Sequence, residues 1–592
     1  MSSFPPEAAA AWRRIRRHAV PPWMIEQATA HRLAGDWAAA CAAARVDIDF
    51  VPAEIAARHG AETAAALLDD LRHFVPDLLR WHLPRYARGG HTRLVPGRTV
   101  LLARYGPPAE RPAGPLLFAT TPRRPEGPQR LVLHCAIPGV REFLSDSGPR
   151  VHDWTSARHL WDARHTAALR ERCGGSRERA PFCRADGTPL PPDELPTADP
   201  GSGDPAARSE WITRLHEHGE LEAAFAAAGI GLDLTPPTTR SWYRVEPETL
   251  LRGCPLNLPR LAPEIRRLSQ ERESSRFQIP LNHGAAVLLE FSEPGPCGTL
   301  RASLAVPDRL AAVPHLPEVL WRRLPDLDLV RGGQVAAARL HPLVAGALFP
   351  ALEVTDGAAG PPGPKAPEPV RVRCRGEWHQ VAWDGGGLRM PHAEEEQRRE
   401  RALRAFGGAV TGCFAVEHAW TSASGRLPKA LRAQRAELFR RAEHGDAPGV
   451  RALLDSGVDP RVRDGAGRTL LHALYLVDHE ELLPRLLSAG ADLEAADDSG
   501  RTPLFTAVSE GGSRTLVEAL IATGARIDTV DPSGMSLAHV IRLRGRGDLA
   551  FLRDRVRTEH PGLGDDVWEV RAHNSETRAR KAKRTTDEDM DW

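Results

Sequence analysis

A 33-residue period in the last third of the chain constrains its fold more than any other feature. The stretches DGAGRTLLHALYLVDHEELLPRLLSAGADLE, DDSGRTPLFTAVSEGGSRTLVEALIATGARID and DPSGMSLAHVIRLRGRGDLAFLRDRV align on several independent residue classes. Asp464, Asp497 and Asp531 fall 33 and 34 residues apart, as do Gly467, Gly500 and Gly534, and Gly457, Gly490 and Gly524. The apolar pairs Leu453/Leu454, Leu486/Leu487 and Leu520/Ile521 keep the same step. Such a period implies stacked supersecondary units, because one unit cannot bury its apolar face alone.

The punctuation of each unit predicts two helices. Thr469 and Thr502 can cap the first helix, Pro503 fits its first turn, and Gly490 and Gly524 suit the positive φ that ends the second. The array resembles the ankyrin repeat family, whose units open on DxxGxTPLHxA and close on LLxxGA. Thr469, Leu471 and His472 match in one unit, and Thr502, Pro503, Leu504 and Ala507 in the next, with Phe505 where histidine is usual. The third keeps His539 but has Ser536, Leu537 and Ala538 for the Thr, Pro and Leu of that motif, and LFRRAEHGD supplies a preceding half unit through Leu438 and Phe439. The expectation is an all-α ankyrin repeat solenoid over 428–560: a cap, two good repeats and a degenerate closing repeat. The resemblance implies protein partners held by the hairpin tips and first helices. Carried over by position, these are Arg463, Arg468, Asp498, Arg501 and Ser533 at the tips, and Val477, Thr506, Glu510 and Arg544 on the helices.

The preceding residues resemble no family. Pro/Gly-rich stretches divide them into an α+β unit over 1–185, a linker over 186–208, a second α+β unit over 209–354, a linker over 355–369, and a small β-hairpin and helix segment over 370–427. RTVLLARYG, PLLFATT, RLVLHCAIP, AAVLLEF, LRASLAV, VRVRCRGEWHQVAW and GCFAVEH read as strands, mostly antiparallel; WTSARHLWDARHTAALRER reads as a helix. GDWAAACAAARVDIDF and GELEAAFAAAGIGLDL align without gaps, and FVPDLLRW and LAPEIRRL follow at a spacing of 187 residues. An internal duplication is therefore an option. The N-terminal region is expected to be α+β with an unknown fold, and 571–592 a disordered charged tail.

Charge and chemistry narrow the function. The net charge of +1 excludes a simple polyanion binder, so no nucleic-acid or membrane partner is expected. Of the 78 basic residues only Lys365, Lys429, Lys581 and Lys583 are lysine, which reads as the codon usage of a GC-rich bacterium. The eight cysteines form no CxxC pair and no signal-peptide core precedes them, so the expected setting is cytoplasmic, with buried thiols and neither metal nor cofactor. GxSxG, GxxxxGK[ST] and HExxH are absent. His159, Asp162 and His165 have the spacing of one helical face, but Arg158, Arg164 and Arg170 make it a solvated one. The leading expectation is a protein-interaction adaptor or scaffold. The alternative is an enzyme whose active site lies in the N-terminal region, around His152, Asp153, His159, Asp162 and His165, with the ankyrin repeats recruiting its substrate.

Overall fold

The computed structural model describes residues 5–564 except 86–91, 107–113, 138–150, 237–245, 273, 282–284, 294–297, 306–309, 311–312, 354–356, 365–367, 385–386 and 423–424. The tail expected to be disordered, 571–592, lies outside these. Two compact units emerge: Met1–Pro125 with Arg130–Pro361, and Glu126–Gln129 with Pro362–Trp592.

The first unit contains two sheets. In one, β1 (Val46–Ile48), β2 (Thr99–Arg104), β3 (Leu116–Thr120), β4 (Leu131–Ala136) and β5 (Val151–Asp153) run in the order β1-β4-β3-β2-β5. In the other, β6 (Ile230–Asp233), β7 (Arg276–Pro280), β8 (Ala286–Phe291) and β9 (Leu300–Ala305) run in the order β6-β9-β8-β7. Both are mixed rather than antiparallel. β1 pairs parallel to β4 as β6 does to β9, while β2, β3 and β4, like β7, β8 and β9, are antiparallel neighbours.

The correspondence extends to single bonds. The helices Trp37–Ala43 and Leu221–Ala227 each lead into a parallel edge strand. At the turn between helix and strand, Arg45 has φ 58° and its counterpart Gly229, 184 residues later, has φ 75°. The N–H of Val75 donates to the carbonyl of Trp161 (2.8 Å), and that of Asn257 to Trp321 (2.6 Å). Val75 and Asn257 lie 182 residues apart, against the spacing of 187 read from FVPDLLRW and LAPEIRRL.

One apolar core, from Trp12 and Ile15 to Leu348 and Phe349, runs through both halves. Within it Arg16 makes two bonds to Asp326 (2.8 and 2.6 Å), the Trp81 indole donates to the same carboxylate (3.2 Å), and His341 meets Asp77 (2.9 Å). Residues 186–208, expected as a linker, are instead fixed to this unit. Gly187 is seated so closely that a Cβ would lie 2.3 Å from that of Ala337, Arg214 bonds the carbonyls of Leu195 and Pro196, and Asp204 caps the helix Pro205–His218. Prolines and glycines here shape an ordered surface path.

Two further elements differ from expectation. WTSARHLWDARHTAALRER contains only short 3-10 turns, Arg158–Leu160 and Thr166–Ala168, and one helical turn, Leu169–Arg172. The Asp162 carboxylate accepts from the Arg164 backbone and from both neighbouring guanidiniums, a local turn that competes with helix. GCFAVEH belongs to the helix Gly412–Thr421, which buries Cys413, Phe414, Val416, Ala419 and Trp420. A short apolar run carries no decisive period.

The second unit opens with the antiparallel strands β10 (Val370–Cys374), β11 (Glu377–Asp384) and β12 (Gly387–Arg389), followed by the helices Glu394–Ala405 and Gly412–Thr421. Paired helices follow: Lys429–Glu443 with Ala447–Asp455, Leu470–Ala473 with Leu482–Ser488, Pro503–Glu510 with Arg514–Ala522, and Leu537–Leu543 with Ala550–Glu559. One apolar cluster extends from Val370 to Val556.

Candidate functional site

The periodic aspartates build the hairpins of the array. Asp464, Asp497 and Asp531 each accept two backbone N–H bonds of 2.8–3.0 Å, from Ala466 and Arg468, from Ser499 and Arg501, and from Ser533 and Met535. Their own N–H groups donate to the carbonyls of Arg468, Arg501 and Met535. Neighbouring units are bonded directly: the Asp498 N–H to the Ala466 carbonyl (3.0 Å), and the Arg463 guanidinium to the Ala496 carbonyl (2.7 Å). His472 closes a capping box with Thr469 and reaches the Arg501 carbonyl through Nε2 (2.9 Å), so this ring ties one hairpin to the next. Its pKa is lowered, chiefly by burial, against the raising effect of that bond. Gly490 and Gly524 take φ of 79° and 102° at the helix ends.

The residues assigned to docking divide into three groups. Asp498 and Arg544 are exposed. Arg463, Arg468, Arg501, Glu510 and Ser533 are partly exposed, and each is already engaged: Arg463 with backbone carbonyls, Arg468 with Asp464 (2.6 Å), Arg501 with Glu510 (3.5 Å), and Ser533 with Asp531 (2.6 Å). Val477 and Thr506 do not face solvent. Val477 joins the apolar cluster, and every residue from Pro503 to Ser509 is buried, so the first helix of that unit is enclosed up to its last residue, Glu510.

Metal ligation, expected nowhere, has a candidate in the small β segment. Arg375 and Gly376, with φ of 52° and 91°, form the two-residue turn joining β10 to β11. This register pairs Val372 with His379 and Cys374 with Glu377. By strand alternation Cys374 and His379 share the inner face with Val372 and Val381. His392 follows β12, and Cys413 sits in the first turn of the helix Gly412–Thr421. The four ligand atoms all lie within 4.8 Å of one another. Cys374 Sγ is 3.6 Å from His392 Nε2, Cys413 Sγ is 3.6 Å from His379 Nδ1, and the two imidazole nitrogens are 3.2 Å apart. His392 Nδ1 meets the Glu396 carboxylate at 3.1 Å. Burial, with Cys374 alongside, pushes the Cys413 thiol up to about 12. Gly412 leaves room for the cluster, since a Cβ there would lie 2.5 Å from Cys374 Sγ. The spacing C-x4-H-x12-H-x20-C matches no paired CxxC pattern; only the density of cysteine and histidine around a hairpin signals it.

The alternative site in the first unit assembles only in part. His152 and His159 line a cavity of about 70 Å³ with His82, a residue without any motif around it. Asp153 pairs with Arg104 (3.1 Å), Asp162 is held by Arg158 and Arg164, and His165 is half exposed. Burial, reinforced by nearby arginines, pushes His159 down to about 3 and His152 down to about 4. Both imidazoles are thereby held neutral near pH 7, and ligand pockets usually enclose roughly 300–1,000 Å³. A cleft of about 710 Å³ lies elsewhere in this unit, among Arg170, Arg177, Arg208, Arg260 and Arg266, with Glu171 its one carboxylate.

One family model matches within the array. Residues 438–531 match the model of ankyrin repeats, in three copies. The chain is 37% identical over 141 residues to the B-cell lymphoma 3 protein homolog of Mus musculus, which is 23% of this chain and 31% of that protein. It is 39% identical over 77 residues to the transient receptor potential cation channel subfamily A member 1 of Homo sapiens, 13% of this chain and 7% of the relative. It is 33% identical over 134 residues to the glycerophosphocholine phosphodiesterase gde1 of Schizosaccharomyces pombe, 22% and 12% respectively. The matches thus span less than a third of each of these relatives. Among the described residues no helix is long and apolar enough to cross a membrane. Hairpins, helix pairs and the family match agree that residues 438–531 are ankyrin repeats.

Proposed function

We propose that this protein is an adaptor or scaffold that docks another protein on the hairpin edge of its ankyrin repeats, and that its compartment is the cytoplasm. The observation that carries this reading is three contiguous ankyrin copies, with the Asp464 and Asp497 hairpin turns bonded to each other while Asp498 remains exposed at a tip. A surface preorganised in this way loses little freedom on binding. Arg463, Arg468, Arg501 and Ser533 frame the tips, with Glu510 and Arg544 at the margin; Val477 and Thr506 have no part in the contact. Affinity capture with the full chain and an Asp498→Arg, Arg544→Glu double variant tests it. Partners seen with the parent chain are lost from the variant; an unchanged set refutes hairpin-edge docking.

The first unit is best read as the product of an internal duplication, supported by the shared strand order and the paired bonds of Val75 and Asn257. An enzymatic or ligand-binding role for this unit is the second reading, and the arginine-lined cleft favours it. That lining suits a small anion better than acid–base chemistry. Chemical-shift or thermal-shift titration of the full chain with inorganic phosphate tests it, and no saturable response at millimolar phosphate excludes it.

A further inference from the structure

We propose that Cys374, His379, His392 and Cys413 bind one zinc ion in a closed, structural site. Zn–S bonds of about 2.3 Å and Zn–N bonds of about 2.0–2.1 Å in a tetrahedron place sulfur and nitrogen ligands roughly 3.6 Å apart and two nitrogens roughly 3.3 Å apart. The cluster has S···N separations of 3.6 and 3.6 Å and an N···N separation of 3.2 Å. The donor set of two sulfurs and two imidazoles is the one tetrahedral zinc selects over oxygen-seeking cations. Both cysteines are buried, and no CxxC pair is needed because the hairpin, the segment after β12 and a helix N-terminus each deliver ligands separately. Binding releases the two thiol protons to solvent. The two thiolates then balance the 2+ charge, and the imidazoles coordinate in their neutral form.

The surroundings fit this assignment. Glu396 accepts from His392 Nδ1, which leaves Nε2 as the lone-pair nitrogen facing the cluster, the usual second partner of a metal-bound histidine. Four protein donors leave no open position, so the site holds structure rather than performing catalysis. It clips β10, β11, the segment after β12 and the helix Gly412–Thr421. The last of these reaches the array directly, since the Trp420 carbonyl accepts from the Arg463 N–H (3.0 Å). The metal would thus fix the entry to the first ankyrin hairpin, whether or not that hairpin docks a partner.

Metal analysis of the full chain, purified under reducing conditions, supplied with zinc and dialysed, is the test. The expected result is about one zinc per chain, lost in both Cys374→Ser and Cys413→Ser, with affinity weakened about 10-fold or more in Glu396→Gln. Should those variants fold poorly, cobalt added to the metal-stripped parent chain reports independently: tetrahedral visible bands with thiolate charge-transfer absorption, displaced by zinc, are expected. Substoichiometric zinc in the parent chain, octahedral cobalt spectra, or full zinc retention in both cysteine variants overturns the proposal.

Discussion

The two units solve the same problem, burying an apolar core, by opposite routes. In the second, bonds repeat at the sequence period: Asp464, Asp497 and Asp531 each fold their own hairpin, and His472 reaches only to the next unit. In the first, decisive contacts join residues hundreds of positions apart, as Arg16 and Asp326 do inside a closed core. Local repetition gives a modular array, whereas the first unit relies on long-range pairs and gathers four histidines whose proton affinity burial lowers, against His472 in the array.

The sharpest break between the units should come from acid. Burial lowers the proton affinity of His82, His152, His159 and His216. Unfolded, each binds a proton below about pH 6.5; folded, His152 and His216 resist it to about 4 and His159 to about 3. Stability is therefore intact above pH 6.5 and falls as the pH drops towards 4, by about 1.4 kcal/mol per pH unit for each histidine. Calorimetry at pH 7 and pH 5 should show the first unit's transition moving several degrees lower. Equal shifts in both units would erase the contrast.

Asp326→Ala comes next, because it strands Arg16 as a buried unpaired charge, at a cost of about 3–5 kcal/mol. Denaturant melts should show a loss confined to the first unit, and a change below 1 kcal/mol would mean that the pair is dispensable. Within the array Thr502→Ala removes the cap bond to the Phe505 N–H (3.2 Å) and should cost about 1 kcal/mol. Smallest of all, Asp498→Arg leaves stability within about 0.5 kcal/mol while weakening partner capture; a large fall in Tm would show that the residue is structural.

Legibility followed the same division. Asp464, Gly490, Thr502 and His472 could be read because each acts within its own unit or the next, and the period multiplies the signal. Val477 and Thr506 are buried because position in the repeat predicts solvent exposure only where nothing else covers the helix. The strands of the first unit were readable from alternation and apolar runs. Their parallel edges, the Arg16–Asp326 pair and the place of His82 in the cavity depend on chain crossings with no local trace. The Cys374, His379, His392 and Cys413 cluster stayed hidden for the same reason: its ligands are spaced by a hairpin, a turn and a helix start. Reading GCFAVEH as a strand concealed that helix start.

Hydrogen exchange followed by mass spectrometry, on the full chain before and after metal removal with a chelator, tests this contrast most directly. Metal removal should raise exchange in 370–421 and at the Arg463 hairpin while leaving the strands and buried helices of residues 6–352 unchanged. Uniform loss of protection across both units, or none in 370–421, would contradict it.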